Sequence, residues 1–142
     1  MAANMRDLAI ATVNLLNLTV PGGLTYDENK PDIPDTEDGR RLYERRIGWL
    51  ARAVERLDAD VICFQELWKV QALNDVFAKV TGVGAYDLVA RDAPGIGKPQ
   101  VAMAVRKNRD GHTKVQDATW IDTFPDTFRL RGVRERDGAA EE

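Results

Sequence analysis

Residues 57–67, LDADVICFQEL, contain an apolar run that ends in a carboxylate. The run VICF at 61–64 is apolar on both of its alternating faces, which predicts a strand over residues 60–66 that lies centrally in a covered sheet. Ligands of open α/β sheets gather beyond the carboxyl ends of the strands. Glu66 is therefore the first candidate site residue, although a strand can also end in a solvated carboxylate or in one that caps the next helix.

A second apolar run near the N-terminus also ends in an oxygen-bearing side chain. Residues 7–14, DLAIATVN, predict a strand that ends at Asn14. An asparagine after a strand is usually a turn former, and Asn17 has the same ambiguity. As a site residue, Asn14 would supply an amide donor to a phosphate oxygen. Together the two strand ends suggest a site for a hard metal ion such as Mg²⁺, which is often held by one or two carboxylates plus substrate phosphate.

The residues between these strands predict an amphipathic helix over residues 40–58. One face is apolar, because its residues recur at spacings of four, three, four and three positions: Tyr43, Ile47, Leu50, Val54 and Leu57. The opposite face is charged and is expected to be solvated; it carries Glu44, Arg45, Arg52, Glu55 and Arg56. The helix separates the two apolar strands, which we expect to be parallel.

The whole sequence predicts one α/β domain over residues 1–133, followed by a frayed charged tail over residues 134–142. Prolines, glycines and acidic residues predict a long loop over residues 15–39. A second helix is predicted over residues 68–80. Strands are predicted over residues 86–90, 100–106, 114–122 and 128–133. Because these strands follow one another closely, we expect them to be antiparallel neighbours.

Composition excludes several kinds of site. The chain contains no serine, which excludes a serine hydrolase, and no cluster of cysteine and histidine, which disfavours zinc. Cys63 lies inside the apolar run and is expected to be a buried, inert thiol. His112, the single histidine, lies in a turn-like stretch and receives no catalytic role. Residues 92–99 superficially resemble a phosphate loop, but Pro99 replaces the required serine or threonine.

Charge and hydropathy give only coarse information about partners and location. The net charge of −3 shows no basic excess that would indicate nucleic-acid binding, although a local patch can still steer such a substrate. Arg91 and Lys98 are the cations that could approach an anionic substrate. We find no convincing signal peptide and no span of about 18 apolar residues, so a cytoplasmic location without a membrane span is expected.

Three stretches together resemble the endonuclease/exonuclease/phosphatase superfamily. Residues 10–18, IATVNLLNL, resemble the family's early strand, which ends in a metal-site asparagine. Residues 57–68, LDADVICFQELW, resemble its strand that ends in Gln-Glu, and residues 101–106, VAMAVR, are similar to its next core strand. The order of these stretches, the intervening helix and their separation also agree with the family pattern.

The resemblance implies a fold, an activity and a metal. The fold would be a mixed-sheet, four-layer α-β-β-α sandwich, of which this chain supplies about the first half. The activity would be hydrolysis of a phosphoester by a nuclease-like enzyme or phosphatase that depends on Mg²⁺ (or Mn²⁺). Glu66 would be the metal-binding glutamate, and Asn14 its early asparagine partner. A His–Asp pair activates the attacking water in such enzymes.

The resemblance stops before the family's catalytic blocks. The central histidine, the Asp-x-Asn block and the closing Asp-His block have no counterpart up to Glu142, so no catalytic residue is expected within this chain. We therefore expect a fragment that lacks the C-terminal half of the domain and is inactive alone. Its substrate class stays open among DNA, RNA, sugar phosphates, inositol phosphates and phospholipids. The alternatives are a non-catalytic binding module that keeps the fold core and a small α/β domain with accidental matches to these motifs.

Overall fold

The computed structural model describes residues 8–107, 118–121 and 129–132, the last two ranges by their backbone alone. The predicted helices and strands are all present, with shifted ends. In chain order they are β1 (Ile10–Leu18), α1 (Glu37–Leu57), β2 (Val61–Leu67), α2 (Val70–Ala78), β3 (Tyr86–Val89), β4 (Gln100–Arg106), β5 (Ala118–Ile121) and β6 (Arg129–Gly132). His112 and the predicted tail lie outside the described residues.

The strands form a mixed four-stranded sheet of order β1-β2-β4-β3 and a two-stranded sheet of β5 and β6. β1 and β2 are parallel, with α1 as the crossover between them. β4 is antiparallel to both β2 and β3, and β5 is antiparallel to β6. The α/β class, the parallel first pair and the antiparallel pairs β3–β4 and β5–β6 are therefore confirmed, whereas β4 and β5, which were expected to be neighbours, lie in separate sheets.

Both helices pack on one face of the four-stranded sheet. That face presents Ile62, Phe64, Ala102 and Ala104, which share one buried cluster with the apolar side chains of α1 and α2. The other face is half-buried and consists mainly of Val61, Cys63, Val101, Met103 and Val105. β2 is central, as predicted, but within residues 8–107 helices cover only one of its faces, and the expectation that Cys63 is buried was wrong, because it is half-buried.

Helix α1 begins earlier than the apolar pattern indicated, because Thr36 caps it. The Oγ1 of Thr36 accepts a hydrogen bond from the Gly39 amide at 3.1 Å, and Glu37 and Asp38 place negative charge in the first turn. The apolar face is buried as predicted, except that Leu57 is 42% exposed. Leu57 is the last residue of the helix, and Asp58 after it takes left-handed backbone angles.

The predicted loop over residues 15–39 is shorter and more ordered than its composition suggested. Residues 15–18 continue β1, and the remaining connection is tied by a hydrogen bond from the Gly22 amide to the Ile33 carbonyl at 2.7 Å. Thr19 and Thr25 within it are buried. Helix α2 is also shorter than predicted, since Trp68 precedes it and donates its backbone amide to the Leu18 carbonyl.

No helix within residues 8–107 is long and apolar enough to cross a membrane.

Candidate functional site

The carboxyl ends of β1 and β2 lie side by side and both depart from regular strand geometry. Asn14 pairs with Gln65 and Leu18 pairs with Leu67, so β1 uses four steps where β2 uses two. The extra residues form a bulge in which Leu16 and Asn17 take left-handed backbone angles, with φ of 52° and 56°. Bulges redirect side chains and occur often beside functional sites.

Glu66 lies on a bulge of its own. In the pairing of β2 with β4, Phe64 and Leu67 are three residues apart, whereas their partners Ala102 and Gln100 are two residues apart. The φ of Glu66 is 61°. A side-chain-bearing residue in the left-handed region is disfavoured by about 1 kcal/mol or more, and such residues cluster at sites where the surroundings hold them. Of the four such residues in the described chain, three are at these two strand ends.

The bulges bring Glu66 into contact with the end of β1. Its Oε1 accepts a hydrogen bond from Nδ2 of Asn14 at 3.2 Å, and its Oε2 accepts one from the Asn17 amide at 3.1 Å. Each oxygen of an ionised carboxylate has about two acceptor positions, so one position on each remains for another ligand. Glu66 is only half-buried, and a ligand can therefore reach it from solvent.

Asn14 is held in place from within its own strand. Its Oδ1 accepts a hydrogen bond from the Leu16 amide at 2.8 Å, which fixes the orientation of the side-chain amide. The Nδ2 group then points at Glu66. The sequence prediction that these two side chains come together is thus matched by their positions, and the Oδ1 of Asn14 keeps one acceptor position.

Arg46 on α1 supports the bulge of β1, a role that the sequence reasoning missed. Its Nη2 donates to the carbonyl oxygens of Leu15 and Leu16. Burial lowers the pKa of Arg46, while the negative charges of Asp32 and Glu66 act to raise it. The guanidinium remains charged, because the arginine pKa lies far above neutrality. In the sequence, the feature that could have indicated this contact was the position of Arg46 just before Ile47, at the border of the apolar helix face.

Trp68 holds the side chain of Asn17 in place. The indole Nε1 donates to the Oδ1 of Asn17 at 3.1 Å, and the ring is buried, with the Tyr26 ring edge-on at a centroid distance of 5.1 Å. Asn17 therefore has its side chain bound to Trp68 and its amide bound to Glu66. Sequence reasoning placed Trp68 at the start of a helix and gave Asn17 little weight.

The Glu66 carboxylate and its surroundings suit the binding of a hard cation. Glu66 accepts its hydrogen bonds from Asn14 and Asn17 and forms no ion pair within residues 8–107. The described residues contain no group of three or more His, Cys, Asp and Glu side chains that could bind a metal ion together. One ionised carboxylate is compatible with Mg²⁺, which keeps several of its waters, and is not compatible with a structural zinc site.

The other candidate residues do not form a phosphate-binding loop. No helix follows residues 92–99, which connect β3 to β4, and the Nε of Arg91 donates to the Gln100 side chain at 2.8 Å. Comparisons of the chain with protein-family models, curated proteins and solved structures find no match. A functional assignment therefore depends on the geometry at Asn14 and Glu66 and on the residues around them.

Proposed function

We propose that this chain is the N-terminal part of a nuclease-like phosphoester hydrolase that depends on Mg²⁺, with Mn²⁺ as a possible substitute. The observation that carries the proposal is the contact between Nδ2 of Asn14 and Oε1 of Glu66 at the carboxyl ends of two parallel strands. The proposal includes the four-layer sandwich, in which a second sheet would cover the half-buried face of the sheet described above.

The residues at the strand ends have separate roles in this proposal. Glu66 would hold the metal ion through the free acceptor positions of its carboxylate. Asn14 would orient that carboxylate and offer its Oδ1, while the Asn17 amide fixes the second carboxylate oxygen. A bound divalent ion would supply neutralisation of the charge that develops on the phosphate and on the leaving oxygen.

The strained backbone supports a ligand-binding role over a structural one. Two bulges and three left-handed residues lie at the strand ends that hold this half-buried carboxylate, and the buried Trp68 holds Asn17 beside it. A carboxylate needed only for solubility requires none of these contacts. Strained backbone persists where the surrounding structure over-determines it, which is typical of binding sites.

Metal affinity tests the proposal directly. Calorimetric titration of the chain with MnCl₂ and MgCl₂ is expected to show one site, and Glu66→Gln should weaken Mn²⁺ binding by about tenfold or more, because the charged ligand is lost. The matched control is Asp87→Asn, which removes a carboxylate on β3 near the opposite end of the sheet. Equal affinity in the wild type and Glu66→Gln would contradict the proposal.

Activity of the isolated chain gives a second test. Residues 8–107 contain no histidine that could act as the general base, since His112 is the single histidine, and we expect no metal-dependent cleavage of plasmid DNA or of a chromogenic phosphodiester. Turnover that persists in Glu66→Ala would refute both the site and the expected inactivity. A well-folded chain that binds no metal would instead support the alternative, a binding module that keeps only the fold core.

A further inference from the structure

A groove of about 790 Å³ runs between the outer edge of β1 and helix α1. Asn14 and Arg46 line it, whereas Glu66 does not. Its lining combines Thr12 and apolar side chains such as Val13, Leu16 and Trp49 with Arg52 and Arg56, which we call the arginine rim. Leu16 is 68% exposed and Trp49 is 60% exposed, so the groove presents apolar surface to water.

The backbone of β1 offers hydrogen-bonding groups along this groove. β1 is an edge strand, and within the described chain it pairs with β2 alone. The Ala9 carbonyl accepts from the amides of Asp60 and Val61, so the odd-numbered residues at the start of β1 direct their polar groups toward β2. By alternation, the amides and carbonyls of Ile10 and Thr12 point away from the sheet, where a further strand could pair with them.

The rim of the groove is positively charged. Arg52 and Arg56 lie one turn apart on α1, and neither forms an ion pair with a carboxylate within residues 8–107. In the first turn of the same helix, by contrast, Arg40 pairs with Asp35 and Arg41 pairs with Glu37. The acidic residues of α1 do not neutralise this rim, because they face elsewhere: Glu44 pairs with Lys79, and Glu55 accepts hydrogen bonds from Thr81.

We propose that this groove binds an extended, acidic polypeptide strand, which adds to the free edge of β1 and places carboxylates opposite Arg52 and Arg56. An edge strand offers alternating amide donors and carbonyl acceptors, which match another polypeptide backbone. A nucleic acid could use the arginines but not the backbone donors and acceptors together. A second copy of this chain is disfavoured, since antiparallel pairing of two β1 edges about a two-fold axis perpendicular to the sheet would place both arginine rims on the same face, where their like charges repel.

Synthetic peptides test the proposal. The probe is a capped nine-residue peptide that alternates valine and glutamate and so matches the 9 residues of β1. Binding is expected to slow hydrogen exchange at the amides of Ile10 and Thr12, while the amides of Ala11 and Val13, which already face β2, change little. A peptide N-methylated on its pairing face should not bind, because it cannot donate to the edge.

Charge reversal separates this proposal from simple hydrophobic adhesion. The double variant Arg52→Glu, Arg56→Glu should lose about tenfold in affinity for the glutamate peptide and gain affinity for a valine–lysine peptide, because two exposed charge pairs change sign. Arg45→Glu, on the same helix but outside the groove, is the matched control. Circular dichroism verifies that each variant is folded, and the gain for the lysine peptide cannot arise from misfolding.

Several results would overturn the proposal. One is binding of both peptides with equal affinity, and another is unchanged exchange at Ile10 and Thr12 at saturating peptide. Arginine-dependent binding of a single-stranded oligonucleotide that excludes the glutamate peptide would assign the groove to nucleic acid instead. Concentration-dependent protection of the same amides without peptide would assign it to a second copy of the chain.

Discussion

The side-chain amide of Asn14 lies 3.2 Å from Oε1 of Glu66, although 52 positions separate the two residues. The parallel pairing of β1 and β2 produces this contact, because it places the carboxyl ends of both strands at one edge. Helix α1 makes the parallel arrangement possible by returning the chain to the start of β2. The contact therefore depends on the crossover and on the two bulges together.

Asn14→Ala is expected to weaken Mn²⁺ binding by about tenfold without unfolding the chain. Asn14 orients the Glu66 carboxylate, and loss of a group that orients a metal ligand typically costs 10- to 100-fold in affinity. The side chain is exposed, so little packing is lost. Calorimetric titration measures the effect, and Asn74→Ala on the exposed side of α2 is the control. Unchanged affinity in Asn14→Ala would remove Asn14 from the site.

Arg46→Met is expected to lower the free energy of unfolding by about 2 kcal/mol. The variant keeps the aliphatic stem but removes the charged donor from the carbonyls of Leu15 and Leu16, and hydrogen bonds to charged groups contribute about 1.5–3 kcal/mol. Urea denaturation measures the difference. The neighbouring Arg45 is exposed, and Arg45→Met should change stability by less than about 0.5 kcal/mol. Equal losses in both variants would show that Arg46 is not a support of the bulge.

Leu16→Gly is expected to leave the stability unchanged or raise it by up to about 1 kcal/mol. The φ of Leu16 is 52°, which disfavours any residue with a Cβ, and its side chain is mostly exposed. The comparison is Leu42→Gly, at an exposed position inside α1, which should cost about 1 kcal/mol of helix propensity. Thermal denaturation measures the change in stability of both variants. A loss of stability in Leu16→Gly as large as that in Leu42→Gly would argue against the left-handed conformation of Leu16.

Tyr43→Phe is expected to change how stability depends on alkaline pH. Burial, with the hydrogen bond to Asp75 at 2.6 Å, raises the pKa of Tyr43 above its usual value. The unfolded chain therefore loses the phenolic proton first, and the free energy of unfolding falls as the pH rises above about 10, by up to about 1.4 kcal/mol per pH unit. Denaturant titrations at pH 8 to 11 should show a shallower decline in Tyr43→Phe. Parallel declines would contradict the raised pKa.

The parts of the fold that the sequence predicted are those with a strong local pattern. The continuous apolar run of β2 and the periodic apolar face of α1 both indicate burial directly. Both elements lie within a few residues of their predicted positions. The start of α1 was placed too late because the cap at Thr36 lies before the apolar pattern begins. Cys63 was expected to be buried because a continuous apolar run does not reveal that one face of the sheet is only half-buried.

The details of the candidate site could not be predicted from local preference. Leucine and glutamate rarely adopt left-handed backbone angles, so nothing in the sequence marks Leu16 or Glu66 as bulge residues. The carbonyl of Leu16 accepts a hydrogen bond from Arg46 on α1, and the Glu66 side chain accepts its hydrogen bonds from Asn14 and Asn17, so both are held by residues distant in the chain. The residue types at the two strand ends were visible, whereas the groups that position them depend on tertiary structure.

The most direct test is paramagnetic line broadening of the ¹⁵N-labelled chain by a small amount of Mn²⁺. If Glu66 holds the ion, the amide resonances of Asn17, Glu66 and Leu67 should broaden first, those of Asp87 should stay sharp, and Glu66→Gln should abolish the pattern. Broadening centred on another carboxylate, or an identical pattern in Glu66→Gln, would contradict the claim that the ends of β1 and β2 form a divalent metal site.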